Sequence, residues 1–203
     1  MIILRRMLGT IIRYSSRVQS EWFKRRFLLL EKPMHRSLRM GQGVRFEVPV
    51  RGGGHGVLVI GQKNCFGYRP AFRLGTGEIL LQARDPNAEI IIGHGNSFSN
   101  NVCIIANKRI SIGNGCRIGD LVAFYDCDFH ELDPRTRGRG CGPTQPVAIG
   151  NNVWLGSRVV VLKGVNIGDN SVVAAMSVVN KSIPANSVAA GVPAKVVRIF
   201  DSN

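Results

Sequence analysis

The sequence has few of the features that mark membrane, secreted or metal-binding proteins. No apolar run approaches the roughly 18 residues that a membrane-spanning helix needs, which excludes an integral membrane protein. Arg5 and Arg6 interrupt the first apolar residues too early for the core of a secretory signal. The five cysteines are odd in number and form no Cys-x-x-Cys pair, which argues against a disulfide framework or a zinc ribbon. We therefore expect a protein of a reducing compartment, the cytoplasm.

Aromatic and acidic residues are also scarce. Aromatic side chains make up 7% of the 203 residues, whereas glycine occurs 24 times, which indicates a fold with glycine turns at short intervals. The chain has 27 Lys and Arg against 13 Asp and Glu, a net charge of +14. Much of this excess lies in residues 1–40, which hold ten basic and two acidic side chains. The basic character therefore belongs largely to an N-terminal segment.

A six-residue period organises the second half of the chain. From position 149 onward every sixth residue is aliphatic, namely Ile149, Leu155, Val161, Ile167, Val173 and Val179. A helix would repeat its apolar positions every 3.6 residues, whereas a period of six is the signature of a parallel β-helix built from hexapeptides. Each hexapeptide is then a short strand that ends in a turn, and three of them close one coil around an apolar axis.

The same period runs through an earlier part of the chain, with aliphatic or aromatic residues at Ile92, Phe98, Ile104 and Ile110, and again at Ile112, Ile118 and Phe124. The next position of the period is His130, where a core residue is due. Residues 131–146 contain three prolines and three arginines, which predicts a loop extruded beside His130. In residues 41–91 the pattern is weaker, and Ile60-Gly61 and Leu74-Gly75 are interpreted as irregular coils. We expect a β-helix domain over 41–192 and a short tail over 193–203.

Residues 1–40 are predicted to form a separate basic segment, helical over about residues 1–30. At helical spacing one side carries Leu4, Met7, Leu8, Ile11, Val18 and Trp22, and the opposite side carries Arg6, Arg13, Arg17 and Lys24. Two interpretations stay open. The helix lies on an anionic membrane surface, or it buries its apolar face against the β-helix or a neighbouring subunit. Binding to nucleic acid is not expected, since no recognised fold signature or aromatic stacking series accompanies the charge.

Two stretches resemble a known family. Ile149–Ser157 and Val188–Arg198 resemble the hexapeptide-repeat acetyltransferases, within them the branch of galactoside and maltose acetyltransferases and of surface-polysaccharide O-acetyltransferases. Tyr125–Pro134 is similar to the catalytic stretch of that branch. The resemblance implies a mainly β fold, a left-handed parallel β-helix, to which this chain adds an N-terminal amphipathic helix and an extruded loop. It also implies a homotrimer with active sites between subunits, acetyl-CoA as co-substrate and no metal.

The resemblance further implies roles for individual residues. His130 is the general base that takes the proton of an acceptor hydroxyl, a task that suits an imidazole pKa near 6.5. Ser157 stabilises the developing oxyanion through its hydroxyl or its amide. Asp126, Asp128 and Glu131 are candidates to orient the His130 ring. The positions expected to contact the acceptor sugar are Asn101, Asp126 and Asp128, and those expected to contact coenzyme A are Trp154, Gly156, Ser157, Ala174, Ala175, Lys181, Lys195 and Arg198.

The expected function is acetyl-CoA-dependent O-acetylation of a sugar hydroxyl, on a bacterial surface-glycan precursor in the cytoplasm or at the inner face of the membrane. Acetylation of an amino sugar or of an antibiotic remains an alternative, because the named residues serve the donor and the proton rather than the acceptor. A non-catalytic scaffold is a further alternative. A metal enzyme like the γ-type carbonic anhydrases is not expected, because its site needs three histidines per metal, two of them about five residues apart, and no two of the four here are closer than 20 residues.

Overall fold

The computed structural model describes residues 2–201, and for residues 2–16 the helical backbone alone. One long helix, α1 (Ile2–Glu31), precedes a three-sided prism, and each side of the prism is a sheet of mostly parallel strands. Each coil of the prism gives one short strand to each face, so a strand pairs with the strand one coil away rather than with its neighbour in sequence. The predicted fold class, a mainly β parallel β-helix with one helix and an extruded loop, is confirmed.

Three sheets form the faces of the prism. The first sheet contains β1 (Ser37–Met40), β4 (Val57–Ile60), β7 (Glu89–Ile92), β10 (Arg109–Ile112), β13 (Val147–Ile149) and β16 (Asn166–Ile167). The second contains β2 (Arg45–Phe46), β5 (Cys65–Phe66), β8 (Ser97–Phe98), β11 (Arg117–Ile118), β14 (Trp154–Leu155), β17 (Val172–Val173), β19 (Ser187–Gly191) and β20 (Ala194–Ile199). The third contains β3 (Val50–Arg51), β6 (Ile79–Ala83), β9 (Cys103–Ala106), β12 (Ala123–Tyr125), β15 (Val160–Val161) and β18 (Val178–Val179).

The strand register follows the sequence period. Ile149 pairs with Ile167, Leu155 with Val173 and Val161 with Val179, so each aliphatic residue lies against its counterpart 18 positions later. These side chains are buried on the axis of the prism. The hexapeptide pattern therefore sets both the strand spacing and the core.

An aromatic column fills the first coils and joins them to the helix. The rings of Phe46 and Phe66 lie 5.3 Å apart, and those of Phe66 and Phe98 are stacked at 4.7 Å. Phe27 of α1 packs edge-on against Phe46, also at 5.3 Å, and the Ser20 hydroxyl accepts a hydrogen bond from the Phe46 amide. The C-terminal half of α1 thus covers the N-terminal end of the prism.

The helix face that packs on the prism differs from the predicted one. Ser20, Phe27 and Glu31 are buried, whereas Val18 and Trp22 are 55% and 57% exposed. The interpretation that the face of Val18 and Trp22 is buried against the chain's own prism is therefore wrong. The predicted positions Leu4, Met7, Leu8, Ile11, Arg6 and Arg13 lie outside the side chains that the structure describes. Along residues 2–201 we find no helix long and apolar enough to cross a membrane.

Two insertions leave the prism at its corners. β12 ends at Tyr125 and β13 begins at Val147, so the extruded loop covers 126–146 and includes the predicted 131–146. His130 is in this loop and exposed, because the chain leaves the coil before the next core position. A second insertion, residues 67–78, separates β5 from β6. The interpretation of Leu74-Gly75 as part of a coil is wrong, since Leu74 lies in this insertion and is 56% exposed.

The predicted tail over 193–203 contains a strand. β20 pairs antiparallel with β19 and extends the second sheet by one strand. Hydrogen bonding along β19 is thereby continued rather than left as an open sheet edge. Residues of this tail consequently hold fixed places on the second sheet.

The aromatic column generates a stability prediction. We expect Phe46→Ala to lower the free energy of unfolding by about 3–5 kcal/mol, because it leaves a cavity between Phe27 and Phe66 that the rigid coils cannot close. Urea denaturation measures the change. The matched control is Phe72→Ala, at a ring that is 52% exposed, for which we expect a change of at most about 0.5 kcal/mol. Equal losses for both variants would contradict the role of the column.

Candidate functional site

Several predicted residues stack at the corner between the second and third sheets. The Gly156 amide donates to the Val173 carbonyl at 2.8 Å, and the Met176 amide donates to the Ser157 carbonyl at 2.9 Å. A Cβ at Gly156 would overlap the backbone nitrogen of Ala175 in the next coil. The structure therefore brings Gly156, Ser157, Ala174 and Ala175 together on two successive turns. Met176 is on the outside of this corner and is 65% exposed.

Ser157 has a partner that the sequence did not indicate. Its hydroxyl donates a hydrogen bond of 2.6 Å to the Asp120 carboxylate, one coil towards the N-terminus. The backbone N–H of Ser157 donates to no acceptor in the part of the chain that the structure describes. The amide rather than the hydroxyl is thus the free donor at this corner. Asp120 is 37 positions from Ser157 in the sequence, so no local sequence motif predicts the pair.

Trp154 and Arg198 occupy one row of the second sheet. Trp154 is in register with Val172, which is in register with Val188, which pairs with Arg198. This places Arg198 about 14 Å from Trp154, or three strand spacings, along the same row. Lys195 lies on the same strand as Arg198, three residues before it, and pairs with Ala190. Lys181 is exposed beyond the end of β18, at the border of the third sheet, and is not part of this row.

A groove of about 370 Å³ runs along the outer face of the second sheet. Its lining includes Trp154, Gly119, Tyr68 and the arginines 45 and 117. Arg117 is in direct register with Trp154, which is 55% exposed. The predicted tryptophan thus lies in an open groove with two basic side chains.

His130 lies at another corner of the prism, at the foot of the extruded loop. Its ring is exposed and makes no hydrogen bond with the residues described. A Cβ at Gly142 would overlap the carbonyl oxygen of His130, and Gly142 has a φ of +71° that favours glycine. The outgoing and returning arms of the loop therefore touch at His130 and Gly142.

Asp126 corrects a prediction. Its carboxylate is fully buried and accepts hydrogen bonds from the amides of Asn107, Lys108 and Arg109 at 2.7–2.8 Å. Both oxygens are occupied by backbone, so Asp126 neither contacts an acceptor nor orients His130. Instead it fixes the point at which the loop leaves the prism, because it ties the loop to the turn between β9 and β10.

Asp128 and Phe129 hold the segment that leads to His130. One oxygen of Asp128 pairs with Lys163 of the next coil, and the other is buried without a hydrogen-bond partner among the residues described, so neither oxygen bonds the His130 ring. The Phe129 ring lies edge-on to Tyr125 at 5.3 Å, and the Arg84 guanidinium lies over its other side at 4.8 Å. Burial raises the pKa of Tyr125, and the neighbouring Cys103 raises it further. Tyr125 is therefore a neutral packing partner.

Asn101, predicted to bind the acceptor, holds the second insertion. Its side-chain oxygen accepts from the Leu74 amide at 3.0 Å and its NH₂ donates to the Leu74 carbonyl at 3.1 Å. Asn100, which is fully buried, bonds both the amide and the carbonyl of Tyr68. The two asparagines clamp residues 67–78 to the corner. The Asn101 amide is only partly buried, so its contact with the acceptor stays a prediction.

The two halves of the predicted centre are not adjacent within one chain. Ser157 follows β14 at the corner between the second and third sheets, whereas His130 follows β12 at the corner between the third and first sheets. The third sheet separates them. Among residues 2–201, no three His, Cys, Asp or Glu side chains form a group that could hold a metal ion.

Comparison with known proteins identifies the family of this chain. Residues 146–181 match the model of the bacterial transferase hexapeptide (six repeats). A putative acetyltransferase of Staphylococcus aureus (strain COL) is 41% identical over an alignment of 138 positions that covers 61% of this chain and 68% of that protein. The chain belongs to the hexapeptide-repeat acetyltransferase family.

Two further members of the family are similar to the chain. The galactoside O-acetyltransferase of Escherichia coli (strain K12) is 43% identical over 104 residues, 51% of each chain. The crystal structure of a Vibrio cholerae hexapeptide-repeat acetyltransferase complexed with acetyl-CoA superposes with a TM-score of 0.56 at 32% identity, covering 70% of this chain and 71% of that one. The chain spans more than half but less than two thirds of the length of the first curated relatives it matches.

The contact between Gly142 and His130 generates a prediction. We expect Gly142→Ala to lower the free energy of unfolding by about 1–3 kcal/mol, because the added methyl group overlaps the His130 carbonyl. In a protein labelled at histidine, the NMR signal of the His130 ring should also move. Gly138→Ala is the control in the same loop, since a Cβ there meets nothing within 4 Å. A stable Gly142→Ala protein with an unmoved His130 signal would show that the two arms are not coupled.

Proposed function

We propose that this chain is an acetyl-CoA-dependent O-acetyltransferase that acts on a sugar hydroxyl by direct transfer, with His130 as general base. The position of His130 supports this proposal most strongly. The ring is exposed, has no hydrogen-bond partner among the side chains and backbone that the structure describes, and follows a segment fixed by Asp126, Asp128 and Phe129. An exposed imidazole with a free nitrogen, carried by a fixed segment, suits proton transfer near neutral pH.

The acetyl transfer needs no group other than His130 to carry the proton between the acceptor hydroxyl and the departing sulfur. The His130 nitrogen accepts the proton of the acceptor hydroxyl while that oxygen bonds to the thioester carbonyl carbon. The carbon–sulfur bond then breaks, the acetyl group stays on the acceptor oxygen, and the imidazolium returns the proton to the departing sulfur. No acyl-enzyme is required, because the nucleophile is the acceptor itself.

The backbone amide of Ser157 stabilises the oxyanion of this step by donating a hydrogen bond to it. The Ser157 hydroxyl donates its single proton to Asp120, whereas the amide N–H has no acceptor within residues 2–201. An amide held by a stacked coil is a preorganised donor, and loss of one such donor costs about 2.7–4 kcal/mol of barrier in a studied case. Asp120 thus acts as a positioning residue for the turn that presents this amide.

The row from Trp154 to Arg198 supports the placement of the donor. It offers an exposed indole at one end and a guanidinium about 14 Å away at the other. A long, thin donor with phosphates at its far end matches a row of residues with this spacing, because guanidinium groups pair well with phosphate oxygens. The Vibrio cholerae relative is a structure complexed with acetyl-CoA.

The separation of His130 from Ser157 supports a homotrimer with sites between subunits. Within one chain the third sheet lies between them. A second copy packed beside the first brings the loop of one chain to the second sheet of the other. A single chain would then contribute to two sites, with His130 in one site and Ser157 in the other.

The helix supports a location at the inner face of a membrane, where precursors of surface glycans are modified. Val18, Trp22 and Leu29 recur at helical spacing, and all three are more than half exposed. Arg17 and Arg25 are exposed beside them. An apolar face bordered by arginines matches an anionic lipid surface.

The proposed base is tested by His130→Ala. We expect turnover to fall by roughly 10²-fold or more, because proton transfer is lost, while the affinity for acetyl-CoA is retained. Calorimetric titration with acetyl-CoA and a thiol-release assay with candidate sugars measure the two quantities. Turnover like that of the unmodified protein would end the assignment. Failure of the unmodified trimer to bind acetyl-CoA would favour a non-catalytic scaffold.

The membrane location is tested with vesicles that contain anionic lipid. We expect the chain to sediment with them at low salt and to be released at high salt, since screening weakens the arginine contacts. Val18→Asp combined with Leu29→Asp should abolish sedimentation. Gln42→Asp combined with Gln62→Asp adds the same charge at exposed turns elsewhere and serves as the control. Equal binding by both double variants would exclude this face as the contact.

A further inference from the structure

A second cavity lies between α1 and the insertion 67–78. It has a volume of about 410 Å³, within the range of about 300–1,000 Å³ that is typical of small-molecule sites. The helix contributes Trp22 and Arg26 to its lining, the insertion contributes Arg69 and Arg73, and the first coil contributes Glu47. No residue predicted from the sequence to have a functional role, apart from Trp22, lies in this cavity.

The charges in the cavity do not balance. Arg69 is held by Glu47, with Nε donating to the carboxylate at 2.9 Å, and it also donates to Gln19 at 3.0 Å. Arg73 donates to the Arg69 carbonyl at 3.2 Å but meets no carboxylate among the residues described. Arg26 lies 6.0 Å from the centre of the Trp22 ring and likewise has no acidic partner there. Two guanidinium groups therefore remain uncompensated in a cavity with one neutralised carboxylate.

This arrangement fits a phosphate group. Guanidinium groups bind phosphate oxygens in pairs of parallel hydrogen bonds. Arg26 comes from the helix and Arg73 from the insertion, so a diphosphate can be held from two sides. The Trp22 ring gives the same cavity an apolar wall for whatever the phosphate is attached to.

The cavity shares a corner with the proposed reaction centre. Going towards the N-terminus from Ser157, the Arg158 amide donates to the Asp120 carbonyl and the Leu121 amide to the Asn100 carbonyl. Asn100 in turn holds the insertion that carries Arg69 and Arg73. The insertion is thus three coils from Ser157, about 14 Å at strand spacing. This distance is longer than one sugar ring.

We infer that this cavity binds the phosphate of the acceptor, and that the acceptor is an oligosaccharide carried on a phosphate or diphosphate. The acceptor role rests on the proposed function, whereas phosphate binding does not. One end of the acceptor is held by Arg26 and Arg73, and a sugar at least one unit away reaches the corner of Ser157. The chemistry is the same whether the phosphate belongs to a lipid carrier or to a nucleotide.

The binding test uses inorganic pyrophosphate and the full chain. We expect saturable binding by calorimetry, weakened at least about tenfold by Arg26→Ala combined with Arg73→Ala, because both charged hydrogen-bond donors to the phosphate are lost. Arg25→Ala removes the same charge from the neighbouring, exposed position of the same helix, and it should leave the affinity within twofold. No saturable binding, or an equal loss in Arg25→Ala, would overturn the inference.

Two comparisons separate this inference from the proposed function and identify the source of the phosphate. His130→Ala should bind pyrophosphate normally, and the Arg26 and Arg73 double variant should bind acetyl-CoA normally, so that either proposal can fail alone. Displacement of bound pyrophosphate by uridine diphosphate supports a soluble nucleotide carrier. Displacement by vesicles with phosphatidic acid supports a membrane carrier. Displacement by neither would overturn the assignment as a site for a carried phosphate.

Discussion

Parallel pairing between successive coils is the constraint on which the rest of the structure depends. Many strands are only two residues long, such as Trp154–Leu155 and Val172–Val173, and strands this short have no stability of their own. They persist because each inward side chain lies on its counterpart one coil away, so that a continuous core forms only when several coils stack. The stack must also be closed at its ends. Phe27 extends the aromatic column past the first coil, which makes the C-terminal half of α1 part of the core.

Because the sheets must stay in register, variation is confined to the corners. The chain inserts residues 126–146 between β12 and β13, yet Ile112 and Ile149 remain paired across the insertion. Asp126 makes this possible, since it occupies three backbone amides at the point of departure. Asn100 and Asn101 do the same for residues 67–78. These hydrogen bonds hold the ends of both insertions at fixed positions on the prism.

The regularity of each segment decided how well it could be predicted. After Ile149 every hexapeptide carries one aliphatic core residue, and the period alone gave the strands and their stacking. Before Ile92 the coils contain longer strands and an insertion, so Leu74-Gly75 was assigned to a coil that does not include it. The period also marked His130 as an anomaly, but a period cannot tell whether a polar residue stays in the core or leaves it.

The site was harder to predict than the fold, because the roles of its polar residues depend on contacts between distant positions. Asp126 is close to His130 in sequence and has a suitable carboxylate, but its burial turns both oxygens to the backbone. The bond between Asp120 and Ser157 spans 37 positions. The helix shows the same effect, since Ser20 and Phe27 find partners on the prism while the more apolar face of Val18 and Trp22 remains exposed.

The shortage of acidic residues links the structural and the functional parts of the molecule. Several of the carboxylates that the chain does have are engaged internally: Asp126 with backbone amides, Asp128 with Lys163, and Glu47 with Arg69. The arginines left without acidic partners among the side chains described include Arg198 on the second sheet and Arg26 and Arg73 beside the insertion 67–78. Arg45 and Arg117 line the groove beside Trp154, so positive charge also borders the centre of the proposed site. This distribution suits the proposed donor and the proposed acceptor, which both carry negative charge away from their reacting atoms.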